Sequence, residues 1–390
     1  MRFNREDRSL LADWWFTVDR VLLAAILLLM GIGIIVSFAA SPAVAVDKGL
    51  DAFYFVKRHL LIVAAGAVLM IALSLLSPRQ IRRLALAAFL VALTVMVYIL
   101  FAGEAVNGAR RWVRVAGVSL QPSEIAKPAF IVLVGWAFAE YERRRDVPAL
   151  PVAIGLYAAF LGLLVLQPDV GQSMLITGVW AALFLLAGLS LVWVAVIGAS
   201  AAAGLVVAYF ALPYVSARID AYLAAESAET SQVARAYESF RLGGMFGRGP
   251  GEGTLKTVLP DAHTDFIFAV IAEEYGVIAC LALLVLFAVI VFRAMQRAIA
   301  TDDLAVRYAA AGLALLIGLQ ALINMGVNVG LLPAKGMTLP FISAGGSSLI
   351  AVSVTFGMLL GLTRRQTARL PAGATQGFEV ATFDSGAMSK

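Results

Sequence analysis

Histidine, cysteine and charged residues are all scarce in this chain. It has two histidines and one cysteine in 390 residues, and the two types are not clustered at the spacing of a metal site. Cys280 has no second cysteine to join, so an intrachain disulfide is excluded. Charged residues make up only 14% of the chain, well below the share found in soluble domains.

Nucleotide-binding fingerprints are absent as well. The glycine-rich stretch 243–253 lacks the Gly-Lys-Ser/Thr ending of a Walker loop and a preceding strand, and it does not match a dinucleotide fingerprint. A flexible connection into the next helix is the plainer interpretation of this stretch. The net charge of +5 reflects basic clusters at helix ends and does not indicate nucleic-acid binding.

Long apolar runs are what the chain has in abundance. It is 61% hydrophobic, and runs of about 20 apolar residues recur, each long enough to cross a bilayer as a helix. We predict an all-α integral membrane protein, a polytopic bundle of ten transmembrane helices. The predicted spans lie near 19–39, 59–77, 84–102, 122–140, 150–166, 169–187, 190–211, 266–292, 306–330 and 344–363.

The predicted organisation follows from these spans and from the basic residues. Residues 1–18 form a cytoplasmic N-terminal segment, 19–365 the membrane domain and 366–390 a disordered cytoplasmic tail. Residues 212–262 form one long loop on the exterior, or periplasmic, side. Short arginine clusters at alternate loops, as in 79–83, 143–145 and 364–369, predict that both termini are cytoplasmic.

The segment 259–276 is the most informative part of the chain. His263 and Asp265 lie where the eighth span meets the exterior, and Glu273 and Glu274 follow roughly 12 Å deeper along the helix. Ionisable groups in a bilayer are costly, so they indicate a functional site. Each has an alternative: Asp265 as a helix N-cap, His263 as a neutral core residue, and the two glutamates as structural groups bonded to neighbouring helices.

Two further exterior features combine charge with an apolar context. Arg110 and Arg111 lie in a loop beside Trp112, and the guanidinium group suits phosphate oxygens. Binding to lipid headgroups is the alternative. Glu124 and Lys127 open the fourth span three residues apart, on one helix face, where a simple buried ion pair explains the spacing equally well.

Polar residues also mark the sixth and ninth spans. Asp169 begins the sixth span, where capping of that helix is the plainer interpretation. Gln320, Asn324 and Asn328 recur every four residues and form one polar stripe on the ninth span. Hydrogen bonds between helices would explain this stripe in isolation.

The connection after the ninth span carries a lysine and several hydroxyl groups. Lys335 is exterior, and Ser343 and Ser347 flank Gly345 and Gly346, whose backbone amides are suited to bind an anion. Nearly all the unusual polar groups therefore belong to the outer half of the membrane. A substrate with an apolar tail, a phosphate and a polar outer part fits this asymmetry better than a solute transported through the midplane.

Four of these motifs together resemble the SEDS family (shape, elongation, division and sporulation). The resemblance spans about residues 15–365 and rests on Pro122–Glu124, Gln167–Asp169, His263–Glu274 and Leu339–Ser347. The stretch 330–340, with Lys335, is similar to the division branch of the family more than to its elongation branch. Ala344 stands where the family commonly has tyrosine.

The resemblance implies a peptidoglycan glycosyltransferase that polymerises lipid II, a disaccharide-peptide on undecaprenyl diphosphate. It implies work at the outer face of the bacterial cytoplasmic membrane, at the division septum, with a class B penicillin-binding protein and other division membrane proteins as partners. The matched Asp265 is the implied catalytic residue.

The chemistry can also be argued from the residues. A carboxylate near the water interface can remove the proton of a sugar hydroxyl as general base. The leaving diphosphate needs cations, for which Arg110, Arg111, Lys127 and Lys335 are candidates. A divalent cation, Mg²⁺ or Mn²⁺, is compatible with this chemistry, and no ligand set for it can be read from the sequence. A lipid II translocase and a non-enzymatic scaffold of the division complex are the alternatives.

Overall fold

The computed structural model describes residues 9–365 apart from 48, 104–108, 116–117, 212, 214–215, 218–219, 221–231, 258, 260–261 and 333–335. The helices are α1 (Leu10–Thr17), α2 (Arg20–Asp47), α3 (Tyr54–Ser74), α4 (Pro78–Ala102), α5 (Pro122–Arg143), α6 (Ala149–Leu166), α7 (Val170–Leu186), α8 (Leu191–Ala211), α9 (Gln232–Gly243), α10 (Ile267–Ile299), α11 (Leu304–Asn328) and α12 (Gly346–Leu362). The chain also forms strands β1 (Val113–Val115) and β2 (Val118–Leu120) and a 3₁₀ helix at Leu255–Thr257.

Ten of the described helices, α2 to α8 and α10 to α12, lie at the predicted spans. Six of them, α2, α3, α4, α6, α10 and α11, are long and apolar enough to cross a membrane by length and composition alone. Helices α7 and α12 are apolar but shorter, and α5 carries charge at both ends. The chain is a multi-pass membrane protein, and the predicted fold class is confirmed.

Helix α5 is the centre of the bundle. Its residues from Pro122 to Ala139 are buried on almost every side, and a helix that is buried all round packs in the interior of a bundle. A Cβ at Gly135 would lie 2.7 Å from the backbone nitrogen of Ala309, so only glycine allows α5 and α11 to approach this closely. The outer end of α5, which carries Glu124 and Lys127, is therefore enclosed by the rest of the bundle.

Helix α10 is broken at Gly276, where the backbone has φ 81° and ψ 174°. The glycine-rich stretch fills this break: the N–H groups of Arg248 and Gly249 donate to the carbonyls of Glu273 and Glu274 at 2.9 and 3.0 Å. Irregular backbone at membrane depth is tolerated where it is enclosed by protein and its polar groups are bonded. Most residues of the stretch are exposed, but its backbone is hydrogen-bonded to α10, so the interpretation as a flexible connection is wrong.

The side chains of the two glutamates bind the same stretch. Glu273 accepts hydrogen bonds from the N–H of Thr254 at 2.7 Å. Glu274 accepts from the N–H of Gly251 at 2.9 Å and forms an ion pair of 2.6 Å with Lys256. A structural role was the alternative raised from the sequence, and the partners belong to the glycine-rich stretch and to the residues that follow it, including the 3₁₀ helix at Leu255–Thr257.

Two features of the exterior connections were not predicted. The loop 212–262 contains α9 and the 3₁₀ helix, and much of 212–231 lies outside the described residues. Strands β1 and β2 pair antiparallel between α4 and α5, and apolar residues alternate with one polar residue in each strand. The tail 366–390 and residues 1–8 lie outside the described residues.

Ion pairs join helix ends at the face opposite Asp265. Asp19, just before α2, pairs with Arg293 of α10 at 3.0 Å. Arg364, after α12, pairs with Asp13 of α1 at 3.0 Å. These pairs bring the N-terminal segment and the ends of α10 and α12 to one face, as the distribution of arginines predicts.

Candidate active site

Asp265 lies in the turn immediately before α10 and is half-buried. The carbonyl of Asp265 accepts hydrogen bonds from Nδ2 of Asn324 at 2.9 Å and from Nδ2 of Asn328 at 3.0 Å. Oδ1 of Asn328 accepts from the N–H of Ala269 at 3.0 Å. The N-cap of α10 is Phe266 and not Asp265, so the capping interpretation of Asp265 is wrong.

The polar stripe of α11 also holds the connection that follows that helix. Nδ2 of Asn324 donates to the carbonyl of Met337 at 2.6 Å, and Nε2 of Gln320 donates to that of Thr338 at 3.0 Å. A Cβ at Gly336 would lie 3.6 Å from Oδ2 of Asp265. The stripe therefore places the Asp265 carboxylate against the 336–345 connection, in addition to joining helices.

Of the predicted hydroxyl groups, that of Ser343 lies in this connection and that of Ser347 follows it in α12. Oγ of Ser343 donates to the carbonyl of Thr264 at 2.6 Å and accepts from the N–H of Leu339 at 2.8 Å. The N–H of Ala344 donates to the carbonyl of His263 at 2.9 Å. Ser347 is buried in the first turn of α12. Ser343 therefore fixes the backbone beside Asp265.

Glu124 and Lys127 form the ion pair that their spacing indicated, at 2.9 Å. Nζ of Lys127 also donates to Gln172 at 2.9 Å and to Gln320 at 3.3 Å, while Nε2 of Gln172 donates to Glu124 at 2.7 Å. Lys127 is only 2% exposed. The network joins α5, α7 and α11 and balances the lysine charge within the protein.

Asp169 and Arg111 form a second buried group nearby. Asp169 caps α7 by accepting from the N–H of Gln172 at 3.4 Å, and it accepts from Nε2 of Gln121 at 3.0 Å. Arg111 lies 3.6 Å from Asp169 and donates to the carbonyls of Gln167 and Pro168. The guanidinium of Arg111 therefore balances the charge of the buried Asp169 carboxylate.

The other two predicted cations are separate from this group. Arg110 is exposed, and its Nη1 donates to the carbonyl of Leu100 at 3.1 Å. Lys335 lies outside the described residues. The substrate-binding roles assigned to these residues from the sequence stay predictions.

His263 lines a cavity of about 120 Å³ that sequence reasoning missed. The cavity lies between α3 and the start of α12, where Arg58, His59 and Ala344 also line it. His263 is buried, and its ring packs on that of Phe55 with 5.0 Å between centroids. The sequence did offer a signal: Arg58 and His59 lie near the exterior end of α3, although basic residues usually cluster at the cytoplasmic ends of spans.

The acidic residues and histidines do not form a closed metal site in the described part of the chain, where no three of His, Cys, Asp and Glu are grouped so as to hold a metal ion. Oδ2 of Asp265 lies 3.6 Å from the position of a Cβ on Gly336, so this carboxylate lies against the connection after α11. A cation held there would have Asp265 as one protein ligand and would take substrate oxygens as others.

Residues 19–368 match the family model described as cell cycle protein, which covers FtsW, RodA and SpoVE. The chain belongs to this family. These are the proteins of the SEDS resemblance, and the stretch matched contains every site residue described above.

Curated relatives align with nearly the whole length of this chain. The probable peptidoglycan glycosyltransferase FtsW of Caulobacter vibrioides is 48% identical over 377 residues, covering 96% of this chain and 97% of the relative. Stage V sporulation protein E of Bacillus subtilis is 34% identical over 361 residues, covering 89% and 97%. The high identity to an FtsW supports the division branch indicated by residues 330–340.

Solved structures of SEDS proteins share the fold. A chain of a peptidoglycan synthase complex, in a study of coordinated polymerisation and crosslinking, has a TM-score of 0.73 at 27% identity, covering 90% of this chain and 98% of its own. The rod shape determining protein RodA of Thermus thermophilus has a TM-score of 0.64 at 26% identity, covering 90% and 97%.

Proposed function

We propose that this protein is a peptidoglycan glycosyltransferase that polymerises lipid II into glycan strands at the outer face of the cytoplasmic membrane. Its place is the septum of the dividing cell, since the Caulobacter vibrioides relative at 48% identity is named as an FtsW. Both termini are cytoplasmic in this proposal, because the arginine-rich helix ends gather at the face opposite Asp265.

One observation supports the activity most directly. Asp265 is half-buried at the exterior end of α10, and its backbone carbonyl accepts hydrogen bonds from the side-chain amides of Asn324 and Asn328. Its backbone is fixed by groups from a different helix, so the carboxylate is positioned before any substrate binds. Preorganised groups of this kind are what catalysis of a sugar transfer requires.

Asp265 acts as the general base in the reaction. The acceptor's sugar 4-hydroxyl gives its proton to the carboxylate while its oxygen forms a bond to the donor's anomeric carbon. The bond from that carbon to the diphosphate oxygen breaks, and undecaprenyl diphosphate leaves with the electron pair. A single displacement converts the α-linked donor into a β-linked product by inversion, through a transition state of oxocarbenium character.

The partner in this proposal is a class B penicillin-binding protein of the FtsI type, which crosslinks the new strands. The similarity to a chain of a peptidoglycan synthase complex supports such an assembly. Asp265 would hold a Mg²⁺ or Mn²⁺ ion, whose positive charge would stabilise the leaving diphosphate, and omission of divalent cations from the reaction tests this part.

The test is glycan polymerisation from lipid II by the purified protein in proteoliposomes, with and without the candidate transpeptidase. Asp265→Ala should abolish chain growth, because the general base is lost. Asp220→Ala is the matched control: this exterior aspartate is exposed and accepts a hydrogen bond from Tyr209 at 2.8 Å, so the variant should keep wild-type activity. Normal glycan strands from Asp265→Ala in the presence of its partner would contradict the assignment.

A lipid II translocase is the second candidate, and the break in α10 at Gly276 favours it, because transporters bind solutes at interrupted helices. Here, however, the charged groups beside the break pair with each other: Glu274 binds Lys256 at 2.6 Å. Lipid II flipping in liposomes without polymerisation would support the translocase.

A further inference from the structure

The cavity between α3 and α12 combines three features of an anion site. It is lined by Arg58, His59 and His263 and by Gly345 and Gly346 at the start of α12. Gly345 occupies the N-cap of this helix of 17 residues without a side-chain hydrogen bond. The N–H groups of a helix's first turn point outward and favour negative charge.

His59 gives an independent indication of a ligand. It is 2% exposed and lines the cavity. Both ring nitrogens are buried, and neither has a hydrogen-bond partner among the described residues. Leaving a buried polar group unbonded costs on the order of 1–3 kcal/mol. A ligand with acceptor oxygens would satisfy at least one of these nitrogens.

Arg58 supplies the positive charge. A Cβ on Gly346 would lie 3.6 Å from Nη2 of Arg58, so the guanidinium lies beside the N-terminus of α12. Arg58 is exposed and forms no ion pair with the residues that the structure describes. By contrast, Lys127 is 2% exposed and pairs with Glu124 at 2.9 Å.

The cavity adjoins both the catalytic turn and the lipid. His263 in its wall lies two residues before Asp265, and Ala344 in its wall bonds to the His263 carbonyl at 2.9 Å. Arg58 and Gly346 also line a second cavity of about 460 Å³, whose apolar side chains are Leu61, Ile62 and Ile350. An anion bound at Arg58 would therefore lie beside the chain segment that leads to Asp265 and at one end of an apolar groove.

We propose that the cavity between α3 and α12 is the subsite for the diphosphate of the polyprenyl-linked donor, with Arg58 as its cation and His59 as a hydrogen-bond donor. The inference rests on the proposed function, because it assigns a place to that reaction's leaving group. The apolar groove along α3 takes the first part of the polyprenyl chain.

The test is direct binding of undecaprenyl diphosphate, which carries no sugar, to the full-length protein in phosphatidylcholine nanodiscs. Arg58→Gln should raise the dissociation constant at least about tenfold, the effect expected for a lost charged hydrogen bond. His59→Phe should raise it by about threefold or more. Arg79→Gln is the matched control, because Arg79 is an exposed arginine in the first turn of α4 and lines neither cavity; its affinity should stay within about twofold.

Asp265→Ala separates this inference from the proposed function. In buffer with EDTA, which removes any divalent cation shared with the diphosphate, it should bind undecaprenyl diphosphate with wild-type affinity, so the subsite stands even if the variant still polymerises lipid II. Unchanged affinity in both Arg58→Gln and His59→Phe, with both variants folded by thermal unfolding, overturns the inference. Displacement of the probe by phosphatidylglycerol at equal mole fraction also overturns it, because the cavity would then be a general site for anionic lipid headgroups.

Discussion

Asn324 donates hydrogen bonds from a single amide nitrogen to the carbonyls of Asp265 and Met337, at 2.9 and 2.6 Å. One side chain on α11 thus fixes the proposed general base and the connection that faces it. Removal of this amide leaves two buried carbonyls with fewer donors, which costs on the order of 1–3 kcal/mol.

We expect Asn324→Ala to lower the kcat of lipid II polymerisation by at least about tenfold, because Asp265 loses its position. Leu322→Ala on the same helix is the control, since Leu322 is exposed on the lipid-facing side and its loss should leave kcat unchanged. A variant with normal kcat and a lowered melting temperature would assign Asn324 a purely structural role.

We expect Lys256→Met to destabilise the folded protein by about 3–5 kcal/mol, because Glu274 would remain buried without its partner. The pair is nearly inaccessible, with 9% and 0% of the two side chains exposed. The free energy of unfolding in detergent measures this, and the double variant Lys256→Met, Glu274→Gln should recover part of the loss. Lys57→Met breaks an exposed pair and should cost less than about 1 kcal/mol.

We expect Gly276→Ala to be destabilising and Gly162→Ala to be neutral or stabilising. Gly276 has φ 81°, and its Cβ would lie 2.3 Å from the carbonyl oxygen of Met245, so the glycine-rich stretch would have to move out of the break. Gly162 is exposed in α6 with nothing within 4 Å of a Cβ, and alanine in a helix gains about 0.5–1 kcal/mol. Equal melting temperatures for the two variants would contradict the packing described for α10.

We expect the contribution of Asp19 to stability to disappear in acid. Burial opposes its ionisation, but hydrogen bonds from the Leu22 N–H and from Arg293 and Arg297 outweigh burial and lower the pKa of Asp19 below its ordinary value of 3.8. Because the folded pKa is the lower one, the contribution is complete above that ordinary value and is lost as the pH falls through the folded pKa.

Asp19→Asn should therefore melt at a lower temperature than wild type at pH 7, with the difference shrinking below about pH 4. Asp303→Asn is the control, because its pair with Arg143 is about half exposed and its effect should be small at any pH. A difference that is constant down to pH 3 would exclude ionised Asp19 as the cause.

The sequence by itself determined the class of protein, the number and order of spans, and the location of Asp265. These follow from local properties: the length of apolar runs, the arginines at their ends and the cost of charge in a bilayer. The sequence also predicted the ion pair of Glu124 with Lys127 and the helix cap at Asp169, because both depend on residues a few positions apart.

Only the tertiary structure decided which distant groups meet. The hydrogen bonds from the 243–253 stretch to the break of α10, the bonds from Asn324 and Asn328 to Asp265, and the cavity at Arg58 and His59 join segments far apart in the chain. Periodicity places a polar residue on a helix face, but it does not say which backbone that face meets. That choice depends on the packing of the whole bundle, because a buried polar group needs its partner wherever the fold can supply one.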